Sequence, residues 1–238
     1  MSSGGSSVDD PPLRPIGPKL ATAATTWLSQ PSGSRGGIRR IDDDELVVYQ
    51  YSWMCNLLPH LGHQELYDKF DFNRPWTRDP NLTHTRVVVP EFLNPADNRQ
   101  VWTGQAYRGL GLTHFVGVSG VEDSRNEVAA KLPRSDPRAG VFGYDEVAKM
   151  SDITDGTSQT VMMIGSGEFA NPWVQGGGAT VRGARKPYFD KLTGSDGSTR
   201  FISGDIDPTV FRSMCTIHGQ DSVDASHLGP ALPDFSTR

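Results

Sequence analysis

The sequence predicts an α+β domain with a mainly antiparallel sheet, helices near residues 53–70 and 208–218, and long loops. Three observations carry that prediction. Helix-like and strand-like segments segregate along the chain instead of alternating. The 26 glycines and 17 prolines place much of the chain in turns. Apolar residues make up only 36% of the 238 positions, enough for one real core but a modest one.

Residues 1–37 read as a flexible N-terminal segment. Ser, Gly and Asp with Pro11, Pro12 and Pro15 come first. A short helix through residues 20–28 follows, ended by Pro31 and Gly33, and Ser32 to Gly37 reads as a linker. Residues 38–224 form the α+β domain, and 225–238 a loose tail. Leu46-Val47-Val48-Tyr49 is a predicted strand. Over 52–70, Leu57, Leu58, Leu61, Leu66, Tyr67 and Phe70 recur at helical spacing, interrupted by Pro59 and Gly62. Phe72 to Trp76 then leaves in extended form.

The β-branched run Val87-Val88-Val89, closed by Pro90, predicts a strand, as does Thr113 to Ser119. Residues 126–136 read as a polar insertion, 142–150 as a hairpin or short helix, and 160–165 as a strand. Residues 171–198, rich in Gly and turn formers, predict a long excursion, and 199–203 a strand after the turn Asp196-Gly197. The last helix has an Asp207 cap, Pro208 at its first position and Gly219 as its stop. Val210, Phe211, Met214 and Cys215 (or Ile217) line one face of it.

The charge count is 23 basic against 28 acidic residues, a formal −5. No basic stripe with interleaved aromatics stands out, so nucleic acid is not an expected partner. Asp42-Asp43-Asp44-Glu45 reads as a solvated turn, with a calcium-attracting patch as the sharper alternative. No window holds ~18 consecutive apolar residues, so no membrane span is expected, and Met1 to Asp10 lacks the layout of a signal peptide. Cys55 and Cys215 sit outside any zinc pattern and on apolar stretches, which favours buried free thiols over a disulfide.

Four blocks stand in order over about residues 50–220. The first is Ser52-Trp53 with Leu57-Leu58-Pro59-His60-Leu61, Gln64, Leu66-Tyr67, Phe70-Asp71 and Pro75-Trp76. Next comes Val89-Pro90-Glu91-Phe92-Leu93-Asn94-Pro95-Ala96-Asp97. The third joins Thr113-His114-Phe115-Val116-Gly117 to Gly140-Val141-Phe142 and to Ile153-Thr154-Asp155-Gly156-Thr157-Ser158. The fourth is Asp196-Gly197-Ser198-Thr199-Arg200-Phe201-Ile202-Ser203 with Asp207-Pro208. Together they resemble the planctomycete-type pilin-like family of unknown function, related to type IV pilins and type II secretion pseudopilins.

The resemblance implies an extracytoplasmic, pilin-like head domain with an α+β fold; docking on other protein subunits, at a cell surface or in a larger complex, is the role expected of it. Departures are Asn94, where members commonly carry Cys, and the absence of a clear H-P-G-G, with Gly176-Gly177-Gly178 its nearest remnant. The prepilin leader and apolar helix of the family are not expected in this chain, and residues 20–28 are too short and polar to stand for that helix.

Among residues that could carry chemistry, Asp152, Asp155, Thr157 and Ser158 surround Gly156 and could offer oxygen ligands to calcium. The competing reading is a turn in which Asp155 and Ser158 bind amides and Gly156 takes a positive φ, and the mismatch with an EF-hand loop favours it. Trp53, Phe72 and Trp76 could make a ligand or interface shelf, or pack in the core. Gly117-Val118-Ser119-Gly120-Val121 fails the nucleophile elbow at its last position, and the six histidines lack metal spacing. No catalytic residue or cofactor is expected, calcium being the one candidate ligand. The expected function is a non-enzymatic structural or assembly subunit; the alternative is an extracytoplasmic binding module for a small solute or glycan, using the Gly-rich stretch and the aromatics.

Overall fold

The run Phe115-Val116-Gly117-Val118 is apolar on both of its faces, and such a strand must be covered twice. The computed structural model describes residues 18–30, 38–39, 50–95, 97–124, 127–144, 146–166, 169–185 and 206–219. The chain runs α1 (Pro18–Leu28), β1 (Ile38–Arg39), β2 (Tyr51–Ser52), α2 (Gln64–Tyr67), α3 (Asn81–His84), β3 (Leu112–Thr113) and β4 (Phe115–Glu122). It continues through β5 (Met163–Gly165), β6 (Asn171–Pro172), β7 (Val181–Arg185) and α4 (Pro208–Met214), with short 3₁₀ turns between elements. The class is α+β, as predicted.

β4 is the middle strand of a three-stranded sheet in the order β5-β4-β7. Its pairing with β5 is antiparallel, Val116 opposite Ile164, and its pairing with β7 is parallel, Val118 opposite Arg182. The other two pairings, β1 with β2 and β3 with β6, are antiparallel. Phe115, Met163 and Val181 point into one core with α1, Trp53 and Phe142. Val116, Val118, Val121, Ile164 and Ala184 point into a second core closed by Phe211, Met214 and Cys215 of the α4 region. Gly117 has no side chain because the Phe142 ring fills that place: a Cβ there would lie 2.6 Å from it.

Helix α1 is built into the first core. Leu20, Ala24, Trp27 and Leu28 recur at i, i+4, i+7 and i+8 and are all buried. Trp27 stacks on Trp53 and on Phe142, with centroids 6.4 Å apart in each case. The helix tolerates its threonines partly because the Thr25 hydroxyl donates to Ala21 O at 3.0 Å.

Several elements differ from expectation. Residues 53–67 form two 3₁₀ turns, Trp53–Leu57 and Pro59–Leu61, and the one-turn α2, because Pro59 starts a new turn and Gly62 is left-handed at φ 87°. Phe72 to Trp76 is a set of turns wrapped round the buried Asn81 amide. That amide donates to Tyr51 Oη, Asp71 O and Arg74 O, and its oxygen accepts from Asp71 N. Val87 to Val89 forms no strand: Val87 O accepts from the Trp173 indole, and the chain turns into the 3₁₀ segment Pro90–Phe92.

The 126–136 stretch is not wholly polar, since Ala129 and Ala130 are buried. The described part of the predicted 171–198 excursion delivers two strands, β6 and β7, and residues 186–198 lie outside the described residues. α4 stops at Met214 rather than at Gly219, because Ile217 N donates to Ala139 O and draws the chain away. Its Asp207 cap is present, accepting from Thr209 N at 2.7 Å. Both cysteines are buried thiols outside any disulfide, one in each core. The predicted strands at 46–49 and 199–203, the 42–45 acidic run, the linker at 32–37, the turn at 196–197 and the tail lie outside the described residues. Among the described residues no helix is long and apolar enough to cross a membrane.

Trp27→Ala is expected to lower the unfolding free energy by about 3–5 kcal/mol in urea titration, because it removes the ring that joins α1 to the core. A loss below about 1 kcal/mol would show α1 to be peripheral.

Candidate functional site

The three predicted aromatics do not share a shelf. Trp53 is fully buried; its indole donates to Thr180 O at 2.9 Å and its ring packs on Phe142 at 4.5 Å. Half-buried Phe72 packs on Tyr51 and Tyr67 at 5.0 and 4.8 Å. Buried Trp76 meets Tyr107 at 5.1 Å. All three belong to the first core, Trp53 and Trp76 within it and Phe72 packed against it.

The acidic loop is likewise spread out. Asp152 is exposed and its carboxylate accepts from Lys149 N at 2.8 Å, capping a 3₁₀ turn. Half-buried Asp155 accepts from Gly219 N at 2.7 Å, while Thr154 N donates to Ile217 O at 2.8 Å. Gly156 between them is left-handed at φ 99°, and Thr157 and Ser158 face solvent. The loop thus ties the 152–160 turn to the segment after α4. Among the described residues no three Asp, Glu, His or Cys groups converge as metal ligands.

Two sites that sequence reasoning passed over are more organised. In the first, His114 is buried on the strand side of the second motif block. Its Nδ1 accepts from Asn94 N at 2.8 Å, and its Nε2 lies 3.8 Å from an Asp97 carboxylate oxygen. Burial pushes the imidazole pKa down, the Asp97 charge opposing it. The Arg99 guanidinium holds the Asp97 carboxyl down to about 2.

The second is a cavity of about 370 Å³ against the β4–β7 pair. Ser119, Glu122, Tyr144, Arg182 and Arg185 line it, with Ala130 and Val181 as apolar wall. Gly178, from the flagged glycine run, completes the rim. Its origin is a bulge: the β4–β7 register shifts between Val118 and Val121. Gly120 there is left-handed at φ 111°, and its Cα faces Arg138 O so closely that a Cβ would lie 2.0 Å from that oxygen. None of Asp152, Asp155, Thr157, Ser158, Trp53, Phe72 or Trp76 lines this cavity. The sequence signal that could have found it is the Ser119-Gly120 pair, a polar residue and a glycine inside an otherwise apolar strand.

Asp155→Ala is expected to cost about 1.5–3 kcal/mol, by loss of a charge-assisted bond to Gly219 N, with millimolar calcium leaving the wild-type melting temperature unchanged. A calcium-induced rise that Asp155→Ala abolishes would instead make the carboxylate a ligand. For His114 the folded pKa lies below the unfolded value of about 6.5. The unfolded chain therefore binds more protons as pH falls through that window, so stability present above about pH 6.5 is lost on acidification. The His114 ring resonance should titrate below 6.5 by NMR; a midpoint at or above that value contradicts the burial argument.

Residues 21–194 match the family described as a protein of unknown function (DUF1559). No curated protein and no solved structure matches the chain. With well over half its length matched, the chain belongs to this DUF1559 family of unknown function.

Proposed function

We propose that this chain is a non-enzymatic structural or assembly subunit, a pilin-like head domain that docks on other protein subunits at a cell surface or in a larger complex. The observation that carries the reading is where the exposed apolar side chains fall. Among the described residues the exposed large hydrophobics are Val87, Val101, Tyr107 and Phe169. Val87 and Val101 lie on segments whose backbones flank Gly111, and Tyr107 lies in the loop that precedes it. Val101 bridges to Gly111, and Val87 O lies where a Cβ on Gly111 would be 2.3 Å away. Tyr107 sits in the loop closed by Trp102 N donating to Leu110 O at 2.7 Å.

The backbone at Tyr107 is left-handed, φ 55°, a conformation costing about 1–2 kcal/mol for a residue with a Cβ. A large ring held there, half outward on Trp76, supports a contact role, since strain of this kind tends to persist where function needs it. The ordered motif blocks support the pilin-like ancestry, and that ancestry supports an extracytoplasmic position. A second reading, an extracytoplasmic binding module for a small solute, is favoured by the cavity beside Ser119.

Cross-linking in the source cells followed by isolation tests the assembly reading. Partner subunits should be captured through the Val87–Val101–Tyr107 face. Val87→Asp with Val101→Asp should abolish capture while changing stability by less than about 1 kcal/mol, as exposed positions allow. Recovery of the protein alone and monomeric would overturn the reading.

A further inference from the structure

We infer that the cavity beside the β4 bulge binds a small organic carboxylate with a short aliphatic body; the inference rests on the binding-module reading and names its ligand class. The argument begins with Ser119. The residue borders the cavity, its exposure is 0%, and its buried hydroxyl has no hydrogen-bond partner. Its backbone is fixed, because Ser119 O accepts from Gly140 N at 2.9 Å on the neighbouring segment. An orphaned buried hydroxyl is a standing cost unless something binds it, and a bulge is the device that re-aims a strand side chain.

Among the described residues that line the cavity the formal charges do not cancel. Glu122 is fully engaged: one carboxylate oxygen accepts from the Arg185 guanidinium, and the other from Ala129 N at 3.2 Å. Arg182 donates only to the backbone carbonyls of Gly178 and Phe169, at 2.8 and 3.2 Å. It has no carboxylate partner among the described residues, and burial alone lowers its pKa, with no anion opposing. Among the described lining residues two guanidiniums face one carboxylate, and the Arg182 charge is met only by the two carbonyl oxygens and by the Phe169 ring, 5.9 Å from its guanidinium carbon, so an incoming anion would be its ionic partner. Burial and the neighbouring Glu122 push the Tyr144 phenol pKa up, so at neutral pH it remains a donor. Val128, Ala130 and Val181 supply the apolar wall. A volume of about 370 Å³ is at the small end of the range for small-molecule pockets.

The test uses the full chain and three four-carbon or sugar probes of different chemistry: butyrate, n-butylammonium and glucose, each followed by NMR shift titration of the 119–122 and 181–185 amides. Butyrate is expected to bind and n-butylammonium not to. Arg182→Gln should weaken butyrate at least about tenfold. Ser119→Ala should weaken it about fivefold while raising the melting temperature, because an unsatisfied hydroxyl has gone. Tyr144→Phe removes one oxygen and gives a second reading of the same site should Arg182→Gln fail to fold. Binding of glucose or n-butylammonium without butyrate overturns the carboxylate class and leaves a binding module. Binding of none of the three overturns both. Butyrate affinity unchanged in every variant places the ligand elsewhere and also overturns the proposal.

Discussion

Seven of the eight residues of β4 are buried, so neither face of this strand can be left to solvent. Everything else in the fold is arranged around that requirement. One face is covered by α1, the Trp53 turn and Phe142; the other is covered by α4. The two cores share the strand but no side chains, because successive residues of a strand point to opposite sides. Cys55 and Cys215 are therefore separated by the sheet, and burial pushes the Cys215 thiol up to about 12, far from its reactive form.

With so little regular structure, the loops are held by single side chains reaching backbone atoms far away in sequence. The Asn81 amide organises the turns from Asp71 to Arg74. The Trp53 and Trp173 indoles fasten residues 180 and 87. Asp155 fastens the chain beyond α4. Such bonds satisfy backbone groups that helices and sheets would otherwise pair, which is how a Gly- and Pro-rich chain can bury a core. They also place the motif blocks against one another: the second meets the third where Asn94 N donates to His114 Nδ1.

Legibility followed locality. The capped start of α4 and a strand over Thr113–Ser119 were readable, because cap chemistry and a short β-branched run are properties of a few adjacent residues. The Val87–Val89 run misled, because β propensity expresses packing on a sheet and no strand is there to receive it. The candidate cavity was only half readable. Its glycine run drew notice, but Ser119 looked like a failed nucleophile elbow, and Arg182 and Glu122 carried no pattern of their own.

The sequence by itself determined an α+β class, an Asp207 cap with Pro208 behind it, a strand within Thr113–Ser119 (interrupted at His114 in the fold), and an ordered set of motif blocks. All of these depend on short-range spacing and on residue type. Only the tertiary structure decided that β7 joins β4 in parallel, that α1 belongs to the core, and that Trp53 and Trp76 pack internally. It also decided that, next to a bulge in the β4–β7 pairing, an unpartnered serine and an arginine with no carboxylate partner among the described residues border one cavity. Those outcomes depend on which distant segments cover which face of β4, and no window of the chain contains that information.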